Sequence, residues 1–449
     1  MGFFKNLGKM TGSPGINTSP MPLLVIGLTF FFLSIFLFPG LLRPSLYFFI
    51  FLAPVVLPFI FIYAAFRVWV DFRQSAYIVN QEHVLLEIKP PRSHMKTPLA
   101  MEAIFSGLHL KPGESTWYDR IIRGKTRPWW SFEIAVIDGT VHFFIWTRAT
   151  FRNIVEAQVY AQIPGAQILT APDYARAVSG LPSEWGIWGV DFEFTKPDPY
   201  PIRTYIDYSL DKKPTKEIEQ VDPLAHMIEY FGTFGKGEQV WFQILARVHK
   251  GDKYHKKNVE GKPYTWQDEG KEIIQNIRTG TVGKVKYRDV FTGEMRETDG
   301  FPNPTKGESE KMAAIERNVA KQAFDVGIRA VYITEPDKFV PSKIPGIIGV
   351  LRQFSSESYN SFKPVRWIAP FNDYPWELFV KKRKDRVRKR LIDAYRRRSY
   401  FYAPYITPHN IMSIEELATI YHIPSASVAT PALSRIQSAT QTPPANLPT

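Results

Sequence analysis

The sequence predicts an α+β protein carried on an N-terminal two-helix transmembrane hairpin. Three observations predict it: two long uncharged apolar runs before residue 70, a hydrophobic period alternating between helical and strand spacing from residue 84 to 334, and an Asp-Gly pair between two apolar strands. The expected order is a cytoplasmic N-terminus (1–20), a transmembrane helical hairpin (21–70) and two ferredoxin-like modules of βαββαβ type (75–175 and 185–340, the second with an insertion at 250–306). A helical, basic segment (341–412) and an extended C-terminal tail with a Pro-rich linker (413–449) complete it.

Met21 to Phe38 (MPLLVIGLTFFFLSIFLF) and Leu46 to Phe66 (LYFFIFLAPVVLPFIFIYAAF) hold no charge. At about 1.5 Å per residue each approaches the roughly 30 Å of a bilayer core. A cleaved signal peptide would have a shorter apolar run and a small-residue cleavage site, so the hairpin is expected to be retained. Pro54 and Pro58 are expected to bend the second span. Lys5 and Lys9 precede the first span, Arg67 and Arg73 follow the second, and Arg43 lies in the turn, which predicts a two-pass protein of the cell membrane with both termini cytoplasmic.

In the first module Val84 to Lys89 reads as a strand and Pro98 to Leu108 as a helix. Trp129 to Ile137 and Val141 to Thr147 flank Asp138-Gly139, which suits a tight hairpin because both turn residues take positive φ. Phe151 to Gln162 returns to helical spacing, Pro164-Gly165 stops it, and Ala166 to Leu169 is strand. A second copy is suggested by Asp222-Pro223-Leu224-Ala225 beside Thr97-Pro98-Leu99-Ala100, and by VWFQILARV from Val240 beside WWSFEIAVI from Trp129. There a helix is expected over Ser309 to Val326 and a strand over Ile328 to Thr334. Within the insertion, Tyr264 to Arg278 suggests a helix and Gly280 to Pro304 a mobile loop. Ser425 to Thr449 reads as poorly ordered.

No chemistry-bearing motif emerges. A P-loop needs glycine, four residues, then Gly-Lys-Ser/Thr, but Gly124-Lys125-Thr126 has Asp119 at the glycine position, and Gly283-Lys284 is followed by Val285. The nine histidines are scattered without metal-ligand spacing, and His142 and His226 read as packing residues. Without cysteine there is neither a disulfide framework nor a thiolate site. No catalytic residue, cofactor or metal is expected.

With a formal charge of +13, the chain implies an acidic partner. The charge concentrates in KKRKDRVRKRLIDAYRRR, Lys381 to Arg398, which is +9 net. The expected contacts for DNA or anionic lipid are Lys381, Lys382, Arg383, Lys384, Arg386, Arg388, Lys389, Arg390, Arg396, Arg397 and Arg398, with an acidic protein partner or a merely solvated helix face as the alternatives. Phosphate contacts would release counterions and make binding salt-dependent, and lipid headgroups would act similarly at about 1 kcal/mol per cation. The aromatic residues Trp367, Phe371, Tyr374, Trp376, Tyr400, Phe401, Tyr402 and Tyr405 read either as stacking platforms or as core.

Several stretches together resemble the N-terminal region of membrane-anchored conjugative-transfer ATPases, relatives of type IV secretion coupling proteins with a HerA/FtsK-type motor. They are KTPLAMEAIFSGL from Lys96, Phe132 to Gln162 with VHFFIWTRATFRNIVEAQVYAQ, AFDVGIRAVYI from Ala323, Gln353 to Pro364 ending in NSFKP, and the stretch from Ser413 beginning SIEELATIYHIP. In such proteins a segment like the last one leads into the P-loop motor, whereas this chain ends at Thr449. The resemblance implies a separately encoded P-loop ATPase as partner, or a motor lost by truncation. It also implies partner contact by Glu415, Glu416, His422 and Pro424, and a homo-oligomer by analogy with ring motors.

The expected function is a non-catalytic, membrane-anchored component of a type IV secretion or conjugative DNA-transfer system that docks a partner ATPase and contacts DNA or anionic lipid. The alternatives are a membrane-bound scaffold without nucleic-acid contact, or an enzyme with an unrecognised site.

Overall fold

Strand-favouring Val, Ile, Phe and Trp recur along nine segments, which the chain pairs into one antiparallel sheet. The computed structural model describes residues 40, 42–91, 97–111, 114, 116–211, 222–251, 253–254, 256–258, 260–288, 295–367 and 378–424, with isolated positions 27, 29, 32, 33 and 36. The chain divides into two compact units, Met1–Val70 and Asp71–Thr449.

One helix, α1 (Leu42–Val79), contains Pro54 and Pro58. Its portion Ile50–Val79 is long and apolar enough to cross a membrane, with a mean hydropathy of 2.1 over the best 18 residues and none of that window buried in the protein. The expected first span, Met21 to Phe38, lies outside the described residues except for a few helical positions, as does the tail beyond Pro424. The second apolar run continues as helix well beyond Phe66, and its last turns belong to the second unit. There Arg73 Nε donates to the Ile122 carbonyl at 2.8 Å.

The second unit runs β1 (His83–Lys89), α2 (Pro98–Gly107), α3 (Trp117–Ile121), β2 (Trp129–Ile137), β3 (Thr140–Arg148), α4 (Arg152–Gln162), β4 (Gln167–Ala171), β5 (Gly186–Phe194), α5 (Pro223–Phe231) and β6 (Glu238–Val248). It continues with α6 (Trp266–Gly280), β7 (Val282–Arg288), β8 (Met295–Pro302), α7 (Lys306–Ala320), β9 (Ala323–Thr334), α8 (Ile344–Gly349), β10 (Phe362–Val365), α9 (Val380–Arg396), β11 (Asn410–Ser413) and α10 (Ile414–Ile420). The sheet order is β10-β5-β9-β6-β2-β3-β1-β4, with β11 also on β9. Asp138 and Gly139 join β2 to β3 with φ of 50° and 83°, as the turn chemistry requires.

Because strand side chains alternate, each central strand presents two different faces. One is apolar: Phe132 and Ile134 of β2, Phe242 and Ile244 of β6 and Ile328 and Ala330 of β9 share a core with Phe105, Val155, Leu224 and Leu417 from the helices. The other face carries charge into the interior. Glu133, Gln243, Arg329 and Asp191 stand opposite one another across four neighbouring strands, each buried. Over this face lie Leu391, Ile392 and Tyr395 of α9 and Tyr400, Phe401 and Tyr402.

Several expectations are corrected. Gly280 to Pro304 is largely not a loop: β7 and β8 form a hairpin, with a register irregularity between Val282 and Lys284. Its Val, Tyr and Thr residues favour extended backbone despite the glycines and charges around them. The helix expected to reach Val326 ends at Ala320, because the segment from Ala323 alternates between two buried faces and joins the sheet as β9. Strands β5, β10 and β11 were not foreseen. The tail expected from residue 413 is, up to Pro424, buried: α10 has a reciprocal Ser413–Glu416 cap and packs against α2.

Candidate functional site: a basic helix and the cavity beside it

Helix α9 begins after Phe379, a left-handed residue with φ 57°, and carries its apolar residues Leu391, Ile392 and Tyr395 on the side that covers the charged sheet face. That single seam leaves the remaining positions to cations. Lys381, Lys382, Arg386, Lys389, Arg390 and Arg397 are exposed, and Arg383, Lys384, Arg388 and Arg396 are partly so. Two carboxylates sit within the run: Asp385 lies 3.7 Å from Arg388, and Asp393 is held by Arg397 at 2.8 Å. Such exposed pairs contribute little to stability, so the helix remains a dense cationic surface.

Arg398 departs from its neighbours. Its guanidinium is 1% exposed, at 3.0 Å from Glu133 and 2.6 Å from Asp173. Burial opposes its charge, but these two carboxylates overcome that and raise its pKa well above the ordinary arginine value. Glu133 also accepts from Ser131 Oγ at 2.6 Å, Tyr174 at 2.7 Å and Gln243 at 3.1 Å. Arg398 is thus an internal clasp between α9 and the sheet, not an outward anion contact, because β2 places a buried carboxylate beneath it.

At the C-terminal end of α9 a cavity of about 620 Å³ opens among residues of the second unit. Its floor is aromatic: Trp129 and Trp146 lie 5.7 Å apart, and His83 stacks on Trp146 at 4.3 Å. Phe401 and Tyr402 form another wall, and Ser75, Ile78 and Val79 from the last turns of α1 a third. The charged lining is Arg176, Arg396, Arg397 and Arg398 against Asp173 and Asp393. Arg396 donates from Nε to the Ala175 carbonyl at 2.9 Å, and among the described residues no carboxylate pairs with it.

Burial, with Arg148 and Arg398 nearby, pushes the His83 imidazole down to about 4. The folded state therefore prefers it neutral, and stability is expected to fall as pH drops from about 6.5 towards 4. A thermal-unfolding series from pH 8 to 4 checks this: His83→Phe should lose that part of the acid sensitivity, and an unchanged profile would refute the assignment.

The partner contacts expected at the end of the chain are turned inward. Glu415 and Glu416 are 2% and 0% exposed, and His422 and Pro424 are buried. Glu415 accepts from Thr204 at 2.6 Å and pairs with Lys321 at 2.9 Å, while Glu416 accepts from the Ile202 and Ser413 amides. His422 lies 3.1 Å from Asp222, which caps α5. They tie the end of the described chain to residues 202–204, to the end of α7 and to the start of α5. Tyr400, Phe401 and Tyr402 are core, whereas Phe371, Tyr374 and Trp376 lie outside the described residues. His142 packs as expected beside Glu87 at 2.7 Å, but His226 is exposed on α5.

Sequence reading missed a second buried centre. Asp325 on β9 receives Arg247 at 2.8 Å and His249 at 2.7 Å, with His409 at 3.4 Å and Arg127 at 3.8 Å. Burial alone would raise its pKa, yet the two histidines and Arg247 hold it well below the usual carboxylate range. The available signal was a charged residue between apolar neighbours in a largely apolar strand, Phe324-Asp325-Val326. Among the described residues no group of three or more potential ligands could hold a metal ion. Residues 74–435 match a domain of unknown function (DUF8128). No curated protein matches the chain.

Proposed function

Since the chain belongs to the DUF8128 family, whose description names no activity, we propose its function from its own geometry: it is a membrane-anchored, non-catalytic component that holds DNA on the exposed face of α9. The observation that carries this reading is the row Lys381, Lys382, Arg386, Lys389 and Arg390, all exposed on one 17-residue helix. Arginine and lysine at this density match a phosphate backbone without demanding a base sequence. The apolar stretch of α1 supports anchoring. Together with Met21 to Phe38 it makes a two-pass hairpin with both ends cytoplasmic.

The folded region is read as two ferredoxin-like modules joined edge to edge through β2 and β6. Support comes from strand order: β4-β1-β3-β2 on one side is matched by β10-β5-β9-β6 on the other, and every pair is antiparallel. In the second module the β6 to β9 connection carries the α6-β7-β8-α7 insertion.

The resemblance in sequence supports a place in a type IV secretion or conjugative-transfer apparatus, beside a separately encoded P-loop ATPase. Such a partner should co-purify with the full chain in mild detergent, and repeated failure to recover any would remove the motor-docking part of the proposal. For DNA, affinity of the full chain in detergent is measured across a salt series. Replacing Lys381, Lys382, Arg386, Lys389 and Arg390 by Ala should weaken binding at every sequence and flatten the log–log salt slope by about one for each phosphate left without its cation. Equal affinity and slope in the variant would end the DNA assignment.

A further inference from the structure

The cavity beside α9 is chemically unlike the helix surface. It combines an aromatic floor of Trp129, Trp146 and His83 with arginines in its wall, and His83 Nε2 is buried with no hydrogen-bond partner. An occupant must therefore be apolar at one end and anionic at the other. Its volume of about 620 Å³ falls within the roughly 300–1,000 Å³ typical of small-ligand sites.

Charge narrows the class. Four lining arginines face Asp173 and Asp393, and Arg398 is also held from beneath by Glu133, which leaves a surplus of one positive charge. That suits a singly charged phosphate, whereas a triphosphate would remain under-neutralised and meets no glycine among the described lining residues. Chain connectivity narrows the source. Ser75, Ile78 and Val79 line the cavity and belong to the helix that carries the apolar stretch. Ser75 follows Val70 by five residues, at most roughly 18 Å of chain.

We propose that this cavity binds one anionic phospholipid, its phosphate held by Arg176, Arg396 and Arg397 and its glycerol and upper acyl carbons resting on Trp129, Trp146 and Phe401. The inference rests on the membrane-anchored reading above. It adds a specific lipid site separate from the DNA-facing residues. Arg398 supports the wall from beneath, already committed to Glu133 and Asp173. Arg176 and Arg397 have side chains 83% and 56% exposed, which lets them turn towards a headgroup and makes their removal structurally mild.

The test uses the full chain in non-ionic detergent, titrated with phosphatidylglycerol brominated on its acyl chain, with brominated phosphatidylcholine and inorganic phosphate as the other arms. Bromine quenches nearby tryptophan, so phosphatidylglycerol should give a saturable quench beyond the phosphatidylcholine background, and Trp146→Phe should remove most of that excess. The double variant Arg176→Ala/Arg397→Ala should raise the half-quench concentration about tenfold while its melting temperature stays close to wild type. Equal quenching by the two lipids, or an unchanged titration in the double variant, would overturn the site. Displacement by inorganic phosphate at similar concentrations would overturn the lipid assignment and identify a soluble phosphate ligand. The five-residue α9 variant should retain the excess quench, so loss of DNA binding and loss of lipid binding are read separately. If the chain fractionated without membranes yet still bound the lipid, the anchoring reading would fail and the cavity would stand.

Discussion

Replacing Arg398 by Ala is expected to destabilise the protein by about 3–5 kcal/mol, because it leaves Glu133 buried without its cation. Glu133 is 0% exposed and sits in the middle of β2, where water cannot reach it. Its remaining partners, Ser131, Tyr174 and Gln243, donate hydrogen bonds but carry no compensating charge. Removal of the side chain also empties space against Trp146, over whose ring the guanidinium lies at 5.4 Å. Thermal unfolding of the full chain in detergent measures the loss. The double variant Glu133→Gln/Arg398→Met, which removes both charges while keeping bulk, should recover much of it, since the cost lies in the orphaned charge rather than in the pair. A small loss in the single variant, or no recovery in the double, would show that Glu133 is hydrated or held by other groups. The salt slope for DNA should be the same for this variant and wild type below its melting temperature.

Arg398 also shows where sequence reading reaches its limit. It stands last in a run of eleven cations, and composition gives no reason to separate it from Arg397. What separates it is a carboxylate 265 residues earlier in the chain. Local chemistry, by contrast, was legible. Asp138-Gly139 determined its turn, the Pro98 and Arg152 helices followed their period, and β1 to β4 were all anticipated. The second half was harder for physical reasons. β9 is buried on both faces, so its apolar residues fit a helical stripe as readily as a strand until the polar Asp325 and Arg329 are placed on one side. β5, β10 and β11 are short or glycine-containing and obtain their partners from distant strands. The candidate site was legible only in its exposed half. The exposed α9 residues from Lys381 to Arg390 were foreseen, but the cavity draws on α1, β1, β2, β3 and the segment after α9, and no local pattern brings those together. The row Glu133, Gln243, Arg329, Asp191 did leave a trace in sequence, charged or amide residues inside each of four largely apolar strands. That pattern signals a buried polar layer without naming what covers it.

Asp325 is expected to be as costly to lose as Arg398. In Asp325→Ala, Arg247 keeps a buried guanidinium stripped of the carboxylate that holds it twice, at 3.1 and 2.8 Å from one Asp325 oxygen. Uncompensated burial of that charge sets a loss of about 3–5 kcal/mol. The pH dependence follows from the direction of the shift. Asp325 is held well below its ordinary value when folded, so its stabilisation is complete above the unfolded carboxylate range, near pH 4, and disappears as pH falls through the depressed folded value. Asp325→Asn keeps the shape without the charge. Wild type should therefore exceed it in melting temperature by a constant margin from pH 8 to 5, and the margin should shrink only below pH 4. If the margin narrowed instead on raising the pH from 5 to 8, the stabilisation would not come from the Asp325 carboxylate and its arginine, and the assignment would fail. The variant also bears on how the end of the described chain is held. Asp325 faces Ile411 of β11 across the β9 edge, and β11 leads directly into α10. Loosening this centre should raise amide exchange in residues 410–424 before it does so in β2 and β3, whose pairing does not involve it.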